Sequence, residues 1–294
     1  MEKITEFTTE NGIRSVHIEN TPKINLFKTF DCGQCFRFDP VSLFGNRYEV
    51  GGVALGKYVV FAQNHENELI IYNSTKEEYL GLWRGYLSLD VDYEKINSDI
   101  LNIVAKEHMK NAVEYGNGIR ILSQSPWECI ISFIISQNNN IPRIKKIVNA
   151  ICEKYGEPVC FMDNIYYTFP APEVLANASV EELFSLKMGF RAKYIADACE
   201  KIKNGETSIE YISGEADFES CVSHLCQIKG IGLKVASCAL LFGFGKTEAF
   251  PIDVHIKRTL DRYFPEGFDH IALGKHAGIA QQYLFYYEKY NQNP

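Results

Sequence analysis

The chain of 294 residues lacks any apolar run near the roughly 20 residues that span a bilayer. Its longest, "CIISFII" and "VASCALLFGFG", are far shorter, so no membrane role is expected. Its opening, "MEKITEFTTENGIRS", is polar and charged, with no apolar core of a signal peptide. A basic excess is also missing. The net charge is −7, with 12 basic against 17 acidic residues through position 117 and 18 against 20 afterwards. Dedicated nucleic-acid binders usually carry a basic footprint. Any such site here must be built from local clusters and backbone amides. The metal-binding pattern is missing too. Of nine cysteines only Cys32 and Cys35 form a C-x-x-C, no second pair accompanies them, and none follows Cys238. That argues against a zinc site or an iron–sulfur cluster and for reduced, mostly buried thiols. No metal and no cofactor are expected. No internal repeat or low-complexity segment is present, and no signal for oligomerisation, so a monomer without an obligatory protein partner is the expectation.

What the sequence does have is enough hydrophobic content, 46%, for real cores, and two unlike parts. Residues 1–117 contain "GIRSVHIEN", "NRYEVGGVAL", "KYVVFAQ" and "NELIIYN". These are rich in Val, Ile, Tyr and Phe and are broken by Gly, Asn and charges. They predict an antiparallel sheet with a hairpin turn at "NHEN", followed by helices in "KEEYLGLWRGYL" and "DYEKINSDILNIVAKEHM". Residues 118–294 are almost wholly helical in pattern. "SPWECIISFIISQ" opens with Ser125, Pro126 and Glu128, the signature of a capping box with a proline start, and "ASVEELFSLKMGF" repeats it with Ser179 and Glu182. "EKYGEPVC", "TFPAPE" and "KNGETS" are expected loops, and "HAGIAQQYLFYYEKY" a final helix with an aromatic stripe. The fold class is α+β: an N-terminal antiparallel β domain, then a helical core.

One stretch is chemically odd. "HLCQIKGIGLKVAS" predicts a helix, a tight Gly-Ile-Gly hairpin and a second helix whose first turn carries Lys234 close to the core. Gly230 and Gly232 permit positive φ and let a phosphate approach bare backbone. The second helix turns its unsatisfied amides and its dipole toward that anion. A lone G-x-G is weak evidence, and a plain turn between core helices is its ordinary explanation. The stretch "GFGKTEAFPIDVHIKR" strengthens the case, because it puts Asp253 on a proline-fixed turn 19 residues beyond Lys234. A helix and a return loop separate the two, so a carboxylate can lie beside the amine. Asp253 is equally suited to cap the helix it precedes, and a capping aspartate is already preorganised for catalysis.

The pattern "KGIGLKVAS…FPIDVH" resembles the hairpin and Gly/Pro-Asp signature of the helix-hairpin-helix (HhH-GPD) DNA glycosylases. Within that superfamily the chain is similar to Ogg-type 8-oxoguanine DNA glycosylase/AP lyases, through "DCGQCFRF", "SPWECIISFIISQNNNIPRI", "MGFRAKY", the hairpin and "HAGIAQQYLF", in the family's order. The resemblance implies a TBP-like β domain before the helical glycosylase core and damaged double-stranded DNA as partner. It also implies an intracellular site of action, beside the nucleoid of a prokaryote or in the nucleus of a eukaryote. By the same resemblance Lys234 matches the nucleophile and Asp253 the catalytic aspartate. Gly33 matches the glycine whose carbonyl accepts the N7 proton of 8-oxoguanine. Cys238 and Phe285 match the walls around the extruded base, Gln281 the amide on its pairing edge, and Pro251 a further residue lining that pocket. His255 matches a phosphate contact, like the hairpin glycines Gly230 and Gly232. Asn138, Arg143 and Arg191 match the residues that hold the orphaned cytosine, and Phe190 the wedge. Phe190 stands where the family often has tyrosine, and Phe38 and Ile279 where it often has tryptophan, departures that bear on wedge and packing geometry.

The chemistry behind these matches stands on its own. A glycosylase that also cleaves the strand needs an amine to attack C1′ of the sugar and form a Schiff base. A free lysine is almost entirely protonated at neutral pH. Desolvation and a helix N-terminus disfavour the cation, whereas Asp253 favours it. Gln281 and Phe285 are four apart and share one helical face, so one can stack on a flipped base while the other reads its edge. Core packing would explain Phe285 equally well, and Cys238 would serve as a small buried hydrophobe. Three consecutive asparagines, Asn138–Asn140, suit a polar surface facing nucleotides better than a helix. Two rivals compete. A monofunctional alkylated-base glycosylase of this fold would have no use for Lys234. A non-enzymatic helix-hairpin-helix DNA-binding protein would need neither Asp253 nor a β domain.

Overall fold

The computed structural model describes residues 1–214 and 216–291. Six strands form the antiparallel sheet: β1 (Lys3–Thr8), β2 (Arg14–Glu19), β3 (Phe38–Pro40), β4 (Tyr48–Ala54), β5 (Lys57–Gln63) and β6 (Glu68–Tyr72). Their order is β1-β2-β6-β5-β4-β3. The "NHEN" turn joins β5 to β6, with Val60 opposite Tyr72 and Phe61 opposite Ile71. Helix α1 (Leu26–Asp31) and the helical turns of 76–86 cover one face, burying Leu26, Phe30, Tyr79 and Trp83 on Val59 and Phe61. Phe38 lies in that cluster, 4.7 Å from Phe30 between ring centroids.

The other face is covered by an element absent from the expected fold. A hairpin of β7 (Pro158–Phe161) and β8 (Asn164–Tyr167) lies across it, with Tyr166 and Phe161 stacked on Tyr58 at 3.9 and 4.7 Å. Both strands have only four residues, and they turn at Met162, with φ 51°, rather than at a glycine. No alternating pattern or Gly-rich turn announces them.

The helices that matter to the site are α2 (Tyr93–Ile103), α3 (Glu107–Gly116), α4 (Pro126–Ser136), α5 (Ile141–Tyr155), α6 (Arg191–Lys203), α7 (Phe218–Leu225), α8 (Leu233–Gly243), α9 (Val254–Tyr263) and α10 (Ala277–Asn291). Tyr93, Ile100, Met109 and Val113 of α2 and α3 join the same apolar cluster as α4 to α10, so residues 93–116 pack with the helical core rather than on the sheet. Ser179 and Glu182 make the full reciprocal cap. Ser125 does only half of this. Its hydroxyl accepts from the Glu128 amide at 3.5 Å, while the Glu128 carboxylate turns inward toward Arg37, 3.8 Å away, where burial raises its pKa. Helix α4 packs on α8 with Phe133 stacked on Phe242 at 5.4 Å. A β-carbon on Gly243 would lie 2.9 Å from that of Cys129, so the two backbones approach closely. Among the described residues no helix is long and apolar enough to cross a membrane.

Asp197 of α6 fixes the Gly-Ile-Gly hairpin. Its carboxylate accepts from the Lys229 amide at 2.7 Å and faces the Lys229 ammonium at 3.1 Å. The ring of Tyr194 then lies under Gly230, where a β-carbon would come within 2.2 Å of it, and Gly230 has φ +82°. Desolvation works against ionisation of Asp197, but the Lys229 amide, the Lys229 ammonium and Lys201 outweigh it and hold its pKa below the ordinary value. A depressed carboxyl pKa adds stability above the unfolded value near 4 that disappears as pH falls through the folded value. Asp197→Asn should therefore be destabilised by about 1–2 kcal/mol at neutral pH, with the gap to the parent closing below pH ~4. Urea unfolding from pH 7 to pH 2.5 checks this; a gap of constant size would contradict it.

Candidate active site

Helix α8 starts at Gly232 and α9 at Asp253, and both starts open on one cleft. Lys234, in the first turn of α8, is half-buried, with its ammonium 5.8 Å from the centroid of the Phe133 ring. Asp253 caps α9: its Oδ1 accepts from the amides of His255 at 3.0 Å and Ile256 at 2.8 Å. Among the described residues no donor meets its Oδ2, and no ion pair joins it to Lys234. Both side chains line a small cavity of about 70 Å³ together with Gly33, Cys238, Pro251, Gln281 and Phe285. They also line the wide groove outside it, with Asn138, Gly232 and His255. The lysine and the aspartate thus share a cleft with the proposed base-recognition residues.

The cavity walls have distinct chemistry. Cys238 is buried, and burial pushes its thiol up to about 11 even though Lys234 pulls the other way, so it stays a neutral, polarisable surface at physiological pH. Gln281 of α10 is buried, donating its amide Nε2 to the Pro251 carbonyl at 3.1 Å. Its Oε1 is buried and meets no donor among the described residues. A buried acceptor without a partner costs about 1–3 kcal/mol, returned by a ligand that supplies a donor. Gly33 adopts φ +81°, and a β-carbon there would sit 3.6 Å from the edge of the Phe285 ring. Backbone strain therefore disfavours any side chain at 33, and its backbone lies bare next to Phe285.

The second cluster lies across the groove. Asn138 sits between α4 and α5 in the left-handed region, φ 47°; Asn139 bonds back to the Ile135 carbonyl and Asn140 caps α5. All three asparagines thus serve a turn as well as a polar surface. Arg191 is buried and donates to the carbonyls of Gln137 and Met188, the latter at 3.1 Å, and to that of Asn138 at 2.8 Å. Four of its five N–H donors are taken, so it holds the Asn138 turn, and one N–H is left over. Arg143 is exposed, and among the described residues its guanidinium makes a single bond, 3.3 Å to the Lys187 carbonyl. Phe190 is 50% exposed, seated on Arg191 and edge-on to Tyr194. His255, at the start of α9, is exposed.

One expectation needs correction. Gly232 does not use positive φ; its φ is −102° and nothing lies within 4 Å of a β-carbon there. It caps α8 with bare, exposed backbone, and only Gly230 needs the left-handed conformation. Among residues that sequence reasoning passed over, Asp197, Gln34 and Gln282 shape the site. Each has a backbone partner 32 to 250 positions away, for which the sequence has no local signal. Ile279, in place of a frequent tryptophan, is a buried core residue.

Comparison with known proteins agrees with this geometry. The family model for the 8-oxoguanine DNA glycosylase N-terminal domain matches residues 16–130, and that for HhH-GPD superfamily base excision DNA repair proteins matches 131–268. An N-glycosylase/DNA lyase of Saccharomyces cerevisiae is 30% identical over 83% of this chain and 69% of its own length. A probable N-glycosylase/DNA lyase of Methanothermobacter thermautotrophicus is 32% identical over 64% of this chain and 69% of its own. The Clostridium acetobutylicum 8-oxoguanine glycosylase/lyase, solved with duplex DNA containing cytosine opposite 8-oxoG, superposes with a TM-score of 0.88 at 35% identity, covering 99% of this chain and 98% of that one. This chain belongs to the Ogg-type family of HhH-GPD DNA glycosylases.

Proposed function

We propose that the protein excises 8-oxoguanine from opposite cytosine in duplex DNA and then cleaves the abasic strand. The observation that carries this is Lys234, half-buried at a helix start in the same cavity as Asp253, Gln281 and the bare Gly33 backbone. A relative supports it: the Clostridium acetobutylicum 8-oxoguanine glycosylase/lyase is seen in complex with duplex DNA containing cytosine opposite 8-oxoG.

In the proposed reaction the neutral Lys234 amine attacks C1′ of the sugar as the C1′–N9 bond breaks, and the base departs with the bonding pair. Positive charge builds on the sugar as this happens, and Asp253, fixed by two amides, stabilises it electrostatically. The departed base takes the proton that the new C1′–N bond releases, the ring opens to a Schiff base as O4′ takes a proton from solvent, and loss of a C2′ proton to solvent then expels the 3′ phosphate by β-elimination. Discrimination rests on the Gly33 carbonyl, which accepts the N7 proton of 8-oxoguanine and meets only another acceptor in guanine, a mismatch of about 1–3 kcal/mol. Gln281 Oε1 accepts from the donors on the pairing edge. The hairpin supplies amides rather than a basic surface to the phosphates, which suits a chain of net charge −7. The scheme draws on residues of one chain only, and the reading extends to a monomer acting on DNA inside the cell.

A monofunctional enzyme would make no covalent link, and a mere binding module would leave the lesion intact. Lys234→Gln should therefore abolish borohydride cross-linking to lesion DNA while duplex binding persists. A variant that still cross-links at the parental rate would sink the assignment.

The base left behind is the second test. Unpaired cytosine presents acceptors at N3 and O2 and a donor at N4. Arg143 and the remaining Arg191 donor meet the acceptors, and Asn138 accepts from N4. Adenine offers one acceptor on that edge, so each mismatch should cost on the order of 1–3 kcal/mol. Single-turnover excision should be fastest opposite cytosine and lose that preference in Arg143→Ala. Equal parental rates opposite all four bases would refute it.

A further inference from the structure

Glycine is the residue whose flanking peptides flip most easily, so a carbonyl used for recognition at Gly33 needs outside restraint. The structure supplies two restraints. On the far side, Gln34 is buried; its side chain donates to the carbonyls of Thr29 and Arg120, both at 2.8 Å, and accepts from the Leu122 amide, while its own carbonyl receives the Gln124 amide at 2.8 Å. On the near side the restraint is a single bond. Gln282 of α10, 2% exposed, donates its Nε2 to the Cys32 carbonyl at 2.8 Å.

Resting on the proposed 8-oxoguanine reading, we infer that Gln282 is a positioning residue for lesion recognition, holding the Cys32–Gly33 peptide so that the Gly33 carbonyl meets the base at one fixed angle. The Cys32 carbonyl lies in the peptide plane before Gly33, while the Gln34 side chain fixes the Cα that follows and its carbonyl bond fixes the plane beyond. With the chain anchored on both sides, the Gly33–Gln34 peptide and the carbonyl in it have little room to turn. The placement on α10 adds a second effect. Gln281 and Phe285 extend from the same helix, so one rigid element carries the edge reader and the ring wall and also grips the loop of the selector. Their mutual spacing is then a property of one helix rather than of a loop. Lys234 and Asp253 stand on other helices, so the chemistry of an abasic sugar does not run through this bond.

The test separates recognition from chemistry. Gln282→Met keeps the side chain's shape and removes the donor. Single-turnover excision of 8-oxoguanine opposite cytosine should fall on the order of 10–100-fold, the size expected when a reacting group is misplaced by a fraction of an ångström to an ångström. Borohydride trapping on a duplex that already contains an abasic site, with no base to recognise, should stay within about threefold of the parent. Gln282→Glu, similar in shape but an acceptor when ionised, repeats the test should methionine disturb the fold. Unchanged 8-oxoguanine excision in both variants, or an equal loss on both substrates, would overturn the inference. A parent that traps abasic DNA but never excises 8-oxoguanine would instead overturn the reading beneath it.

Discussion

The site depends on the amide network around Gln34 more than on any charge. This side chain joins α1, through the Thr29 carbonyl, to the strand-like connection at Arg120 and Leu122. Gln124, which holds the Gln34 carbonyl, also donates its own backbone amide to the Phe242 carbonyl at the end of the lysine helix, 3.2 Å away. The Gly33 loop of the β domain and the Lys234 helix of the helical core are thereby in register through neutral hydrogen bonds. Buried and satisfied, such bonds are directional and insensitive to salt, which matters beside a polyanion.

The same economy runs through the rest of the cleft. Asp253 is held by two amides at a helix start, Asp197 holds the hairpin through an amide, and Arg191 spends its donors on carbonyls. Charge is placed locally, where a bond fixes it. An overall acidic protein can therefore offer an anion-binding surface. Cys32 and Cys238, whose thiols burial pushes up to about 12 and about 11, add soft neutral packing next to the lysine without competing as nucleophiles.

Much of this was legible in the sequence, for identifiable reasons. The sheet and its "NHEN" turn, the Ser179–Glu182 cap and the final helix follow from local periodicity and capping chemistry, while Lys234 stands out as a cation at the start of an apolar helix and Asp253 as a carboxylate on the proline-fixed turn beyond it. What escaped was tertiary. The β7–β8 hairpin has strands too short to show alternation, and Glu128 prefers a buried guanidinium to closing its own cap. Gly232 looks like a left-handed glycine and is not one, because its neighbour Gly230 takes up the turn. Gln34 and Gln282 are ordinary glutamines until the chain brings distant carbonyls to them.

The central claim is that one amine, on α8, carries the chemistry. Reducing the enzyme–abasic DNA adduct with borohydride, digesting with trypsin and mapping the modified peptide tests it most directly. A substituted Lys234 resists cleavage, so the account predicts a single DNA-bearing peptide running from Gly230 through Lys246. A sugar adduct mapped to Lys229, Lys257 or any other amine would contradict it.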